Sequence, residues 1–310
     1  MKKIVLSIIA LFFVVSNLNA NIIDDNKGTK GFAFNNIGVG ARYNALGGMG
    51  ASIADDGFAM YWNAAAIVAD RPQTNISFMH DLWIYDSYRD YVGLTHSFRR
   101  SGVGISVNYV NPGDIQGRTA PTDTYTIVKS YDAGVKLGYG FAIGDKVRLG
   151  FGAGYLRERI STKDYTAYVA SVGYRIIDLF SGLMAIGGQV KDIGLYTNGD
   201  MPGIRFMTDA ALYFLKGRRL KVLCGLEAGL DNYPEVKAGV EYAVSKSIRI
   251  QAGVRSLREG RGMLSMLNGG ISFMLMNRIS IDVAYKYGDI TGNKLLGGSS
   301  NLMLSMNMRM

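Results

Sequence analysis

The chain has 310 residues, 48% of them apolar, with 40 Gly, 5 Pro and one Cys. That apolar fraction excludes a disordered chain, the single Cys excludes a disulfide scaffold, and scarce proline without a glycine triplet period excludes collagen-like repeats. The formal charge of +9 falls to +7 once Lys2 and Lys3 are removed with a leader, and the remaining basic residues are scattered, so a nucleic-acid partner is not expected.

The first twenty residues read as an export signal. Lys2 and Lys3 precede an apolar run from Ile4 to Val15, and Leu18-Asn19-Ala20 ends in a small residue suited to cleavage near Ala20. An apolar run of 12 residues is shorter than the ~20 a membrane-spanning helix needs.

Residues 21–71 form the second predicted unit. They are glycine-rich and do not alternate, with short helical pieces expected at Ala41–Leu46 and Phe58–Ile67 on either side of Asp55-Asp56. Some 50 residues of this kind make a poor core of their own, so they need another surface to fold against.

From residue 72 to residue 310 the pattern changes to period two. Val236, Ala238, Val240, Tyr242 and Val244 alternate with Lys237, Gly239, Glu241 and Ala243; Ile279, Ile281, Val283, Tyr285 and Tyr287 alternate with Ser280, Asp282, Ala284 and Lys286. Each segment is a strand with one apolar and one polar face. About fourteen such segments begin near Gln73, Tyr88, Val103, Tyr131, Lys146, Tyr165, Ser181, Ile204, Leu220, Glu235, Ile248, Leu264, Arg278 and Asn301. Most run to about 9–13 residues, the length of a tilted membrane-spanning strand rather than of an ordinary strand of 5 or 6.

Connections alternate between short turns and longer segments, roughly Asn111–Thr124, Lys191–Gly203 and Gly288–Ser300. Aromatics gather at both ends: Phe98, Phe141, Tyr174, Phe214, Tyr242 and Phe273 near the short turns, and Tyr85, Tyr109, Tyr131, Tyr155 and Tyr285 near the long loops. Both regularities are those of a transmembrane antiparallel β-barrel, all-β and of about fourteen strands. Its polar face then turns inward, giving Lys136, Arg148, Glu227, Lys237, Glu241, Arg249, Asp282 and Lys286 as lumen-facing residues, with Glu227 and Lys237 placed to pair across a hairpin. A soluble β-sandwich is the competing architecture, with the same charges on its outside.

Gly31-Phe32-Ala33-Phe34, Ile37-Gly38-Val39-Gly40-Ala41-Arg42, Ala45-Leu46-Gly47-Gly48, Ala51-Ser52-Ile53-Ala54-Asp55-Asp56 and Tyr61-Trp62-Asn63 together resemble the N-terminal signature of the PorV/PorQ family. Ser77-Phe78-Met79-His80, Asp81-Leu82-Trp83 and Gly239-Val240-Glu241-Tyr242 extend the likeness over most of the mature chain. The chain departs from that family in carrying Ala64 where a proline usually follows Asn63, and in ending at Met310 rather than an aromatic.

The resemblance implies a FadL-like fourteen-stranded barrel in the outer membrane of a didermic bacterium, with an N-terminal hatch in the lumen. It implies a role in type IX secretion, with secretion-system proteins and exported cargo bearing C-terminal sorting domains as partners besides outer-membrane lipid. The wider superfamily carries fatty acids and other hydrophobic compounds, which makes transport the alternative. Arg42, Asp55, Asp56, Trp62 and Asn63 are the expected anchors between hatch and wall. No enzyme, cofactor or metal site is expected, since His80, His96 and Cys224 have no ligand spacing.

Overall fold

The computed structural model describes residues 30–83, 87–113, 115–118, 124–230, 234–259, 262–287 and 301–310, so the export signal lies outside the described residues. The strands are β1 (Gln73–Leu82), β2 (Tyr88–Ser97), β3 (Ser101–Asn111), β4 (Ile115–Gly117), β5 (Thr126–Val128), β6 (Ser130–Ile143), β7 (Val147–Ile160) and β8 (Lys163–Leu179). They continue with β9 (Met184–Thr197), β10 (Arg205–Phe214), β11 (Leu220–Gly229), β12 (Glu235–Ala243), β13 (Ile248–Glu259), β14 (Gly262–Leu275), β15 (Ile279–Tyr287) and β16 (Asn301–Arg309).

Fourteen of these close into one antiparallel barrel, each beside its sequence neighbour, while β4 and β5 form a separate hairpin between β3 and β6. The seam is β1 against β16, with Asn75 opposite Arg309 and Leu82 opposite Leu302. Closure leaves every barrel strand with two neighbours, which a sheet crossing lipid requires because no water is present there to satisfy an edge.

The starts of all fourteen strands lie within three residues of those expected from alternation. Lys191–Gly203 differs: β9 runs on to Thr197. Pairing with β8 shifts between Ala170 and Val172, and Asp192 takes a left-handed backbone (φ 61), so Lys191 and Asp192 form a bulge that interrupts the alternation. Part of the long connection after Asn111 is likewise ordered, as the β4–β5 hairpin.

Side-chain orientation excludes the sandwich. Val236, Val240, Ile250, Ile281, Leu302 and Leu304 stay 38–46% exposed on the outer surface, while Glu235, Lys237, Glu241, Gln251, Asp282 and Ser305 on the opposite parity are buried. This is an apolar band facing acyl chains and a polar interior. Tyr88, Tyr109 and Tyr131 stand side by side toward the long-loop end (centroids 6.4 and 6.2 Å apart), as do Tyr155, Tyr168 and Tyr196 (5.3 and 6.4 Å). Phe141 sits between Tyr139 and Phe151 toward the short turns, 6.2 Å from each. Tyr85 lies outside the described residues.

Depth sets the cost of a misplaced charge. Val240→Arg, near the middle of β12, is expected to destabilise the vesicle-inserted protein by ~2–4 kcal/mol in urea titrations, and Val244→Arg at the strand end by ~0–1 kcal/mol.

Candidate functional site

The interior is occupied by the chain's own N-terminal residues. From Lys30 onward the segment carries a 3-10 turn (Ala33–Asn36), helices α1 (Ala41–Ala45) and α2 (Ala59–Trp62), and a second 3-10 turn (Ala64–Ile67). Neither helix exceeds five residues, and the segment holds its shape through aromatic packing. Trp62 lies 5.9 Å from Tyr43 and 4.9 Å from Tyr61, and its indole N–H donates to the carbonyl of Val39 (2.9 Å). Asn63 caps the second 3-10 turn by accepting from the Ala65 amide, and donates to the carbonyls of Ala51 and Tyr174.

Inward glycines let this backbone reach the wall. A Cβ on Gly150 would overlap the Ala65 amide, one on Gly187 the Ala51 carbonyl, one on Gly253 the Gly47 amide, and one on Gly93 the Gly57 carbonyl. These four glycines lie on β7, β9, β13 and β2, spaced around the barrel, so the segment fills the lumen from side to side.

Polar side chains of the wall complete the attachment. Arg42 forms a two-pronged contact with Glu241 (2.7 and 3.1 Å), which also pairs with Lys221 (2.5 Å). Arg42 reaches Asp55 (3.4 Å), and Asp55 in turn pairs with Arg309 (3.2 Å). Lys237 joins Glu227 (2.5 Å) to the carbonyl of Gly48 (3.1 Å). Arg148 donates to the Val68 carbonyl and to Asp70 (both 2.5 Å), and Lys136 pairs with Asp192 (3.1 Å). Arg249 and Lys286 are on the inward parity of β13 and β15, and Asp282 accepts from Ser280 and Ser305 at 3.5 Å.

Sequence reasoning missed several wall residues, Asp209, Arg89, Lys191 and Asp192 among them. The Asp209 carboxylate accepts from the amides of Gly50 (3.1 Å), Ala51 and Ser52 (both 2.8 Å) and from the Ser52 hydroxyl, holding a whole backbone turn. Fully buried Arg89 donates to the carbonyls of Ile37 (2.6 Å) and Gly38 (2.5 Å) and pairs with Asp81 (3.2 Å). Lys191 donates to the Asn35 carbonyl (2.9 Å) and Tyr61 hydroxyl (3.0 Å), and Asp192 accepts from the Asn35 amide group (2.5 Å). Alternation marks Asp209 and Arg89 as inward but cannot say which loop backbone they meet.

Asp56 accepts from the Tyr43 hydroxyl (2.8 Å) and the Phe58 amide (3.0 Å). Burial, then the neighbouring Asp55 charge, pushes its carboxyl up to about 7, outweighing Tyr43 and Arg42. Among the described residues no group of three His, Cys, Asp or Glu is placed to hold a metal ion. His80 pairs with Asp90 (2.7 Å) and His96 meets Thr74 (2.8 Å), at opposite ends of the β1–β2 pair.

Two cavities of about 10 Å³ lie between segment and wall, each with room for one water. One is lined by Asn35, Tyr61, Tyr91, Asn108 and Lys136. The other lies where β7 carries Gly152, Ala153 and Gly154 and β8 carries Ala170 and Ser171, and its lining combines outward Leu137 of β6 and Ala153 with inward Lys136 and Asp192 and with Met60 of the segment.

Similar proteins agree with this architecture. A family model described as "Uncharacterised protein family (UPF0164)" matches residues 12–158. No curated protein matches the sequence. Among solved structures, the P. putida toluene transporter TodX is similar at a TM-score of 0.60 and 9% identity, over 88% of this chain and 97% of that one. The CymD monoaromatic hydrocarbon channel (TM-score 0.56, 12% identity, 88% and 97%) and a Pseudomonas aeruginosa FadL homologue (0.57, 12%, 87% and 98%) follow. At these identities the likeness is one of fold alone: a closed fourteen-stranded antiparallel barrel.

Two outcomes test the seating of the segment. Gly150→Val combined with Gly187→Val is expected to leave a folded, heat-modifiable barrel but to expose Arg42 to trypsin; an unchanged digestion pattern would contradict the close backbone contact. Because Asp56 binds its proton more tightly folded than unfolded, its contribution is full below pH ~4 and is lost as pH rises to about 7. Amide exchange across residues 40–66 is therefore expected to be faster at pH 8 than at pH 5 beyond the intrinsic rate, and Asp56→Asn to abolish that difference.

Proposed function

We propose that this protein is an outer-membrane channel for small hydrophobic compounds, closed in the present conformation by its N-terminal segment acting as a hatch. One observation carries the reading: a cavity at the β6–β8 wall is lined by residues of both the lumen and the lipid face, beside the β8–β9 bulge. A hydrophobic solute gains nothing by entering the aqueous periplasm, whereas a sideways exit delivers it to acyl chains. The fold of TodX and CymD, which their descriptions name as a toluene transporter and a monoaromatic hydrocarbon channel, supports the same reading. Wall groups such as Asp209 and Glu241 would hold the hatch by hydrogen bonds and ion pairs that water can replace, so its displacement need not disrupt the barrel.

A second reading, a type IX secretion component of the PorV/PorQ kind, is favoured by the N-terminal motifs and by the ion pairs that pack the lumen. It needs no passage through the barrel, only loops and wall that contact exported cargo.

Uptake separates the two. Expression in a host lacking such channels is expected to raise uptake of toluene or a long-chain fatty acid severalfold. Ser52→Cys with Asp209→Cys, in a Cys224→Ser background, is expected to block that uptake until a reductant is added. No increase in uptake, with exported sorting-domain proteins co-purifying instead, would overturn the channel in favour of the second reading.

A further inference from the structure

The two ends of the barrel differ in charge. The six short turns, 98–100, 144–146, 180–183, 215–219, 244–247 and 276–278, hold eight Lys and Arg and one acid, Asp145. By sequence, the connections at the opposite end, excluding the β4 and β5 strands themselves, hold four bases and six acids. Short turns mark the periplasmic end of such barrels, so the basic rim lies at the inner leaflet.

A second feature coincides with the first. Five of the six turns open with a large apolar residue that stays exposed: Phe98 (56%), Phe180 (47%), Leu215 (61%), Val244 (46%) and Met276 (91%). In the remaining turn Ile143 precedes Gly144 and is 52% exposed. A turn tip standing clear in water has no use for such side chains. Apolar groups next to Arg99, Arg100, Lys146, Lys216, Lys246 and Arg278 suit a boundary where acyl chains meet phosphates.

We propose that this rim is a docking surface for anionic phospholipid headgroups of the inner leaflet, the apolar turn residues entering the acyl layer and the cations seating on phosphates. The proposal rests on the membrane-spanning barrel and is independent of what, if anything, passes through it. The docking would fix the depth of the barrel from its periplasmic end, while the tyrosine rows fix it from the other.

Spin-labelled lipids test this on the full chain in phosphatidylcholine vesicles. Labelled phosphatidylglycerol is expected to be preferred over labelled phosphatidylcholine at the protein surface by about threefold at low salt, and the preference to vanish in ~0.5 M NaCl. Replacing Arg99, Arg100, Lys146, Lys216, Lys246 and Arg278 by Gln is expected to remove it; replacing Lys129, Arg159 and Lys163 at the other end is expected to leave it intact. Should the six-site variant fail to fold, Arg99→Gln/Arg100→Gln alone is expected to lower the preference. Absence of any preference in the wild-type protein, its survival in the rim variants, or its loss only with the other set would overturn the proposal. Wild-type protein that shows no lipid preference but binds purified anionic peptidoglycan would equally overturn it.

Discussion

A polypeptide crossing a bilayer has no water to satisfy its amides and carbonyls, and the rest of this structure depends on that constraint. Fourteen strands meet it by closing on themselves, and closure divides every strand into a face that meets lipid and a face that meets the lumen. The alternation of Val, Ile and Leu with Gly, Ser and charged residues follows from that division. Strand length and the separation of the aromatic rows follow from the thickness of the layer crossed.

Closure also creates an interior that must be filled. Here the filling brings backbone as well as packed aromatic side chains against the wall, which explains why the wall positions that meet that backbone are glycine. Gly93, Gly150, Gly187 and Gly253 admit the segment's peptide groups to the sheet, and wall residues then satisfy those groups individually: Asp209 for three successive amides, Arg89 for two carbonyls, Arg148 for the Val68 carbonyl. Pairs such as Arg42–Glu241 are buried, and removing one partner of a buried pair leaves a charge without compensation. The segment and wall therefore specify each other, and neither is complete alone.

Much of this was legible in the sequence, because a period of two imposed by lipid is a repeated signal. The apolar faces, the number of strands and their starting points came from it, and so did the inward parity of Lys136, Glu241 and Asp282. What alternation does not encode is which inward group meets which part of the N-terminal segment. Asp209 looks like any other lumen acid until residues 50–52 are folded over it. Lys191 and Asp192 escaped for a different reason: the bulge puts two consecutive residues on the buried side, which reads locally as the end of a strand. The ion-pair partners within one hairpin, Glu227 and Lys237, needed only the register between neighbours.

The segment also meets the wall beside a cavity at β6–β8 whose lining includes Gly152, Ala153, Gly154, Ala170 and Ser171. All of it stands on the assignment of faces. Nitroxides placed singly along β12 and β13, in vesicles, measure that assignment directly through collisions with molecular oxygen, which concentrates among acyl chains, and with a water-soluble nickel chelate. Oxygen accessibility is expected to peak at Val236, Ala238, Val240, Ile250 and Ala252 and to fall at Lys237, Gly239, Glu241 and Gln251. Accessibility without a period of two, or a maximum on the charged positions, would contradict the account.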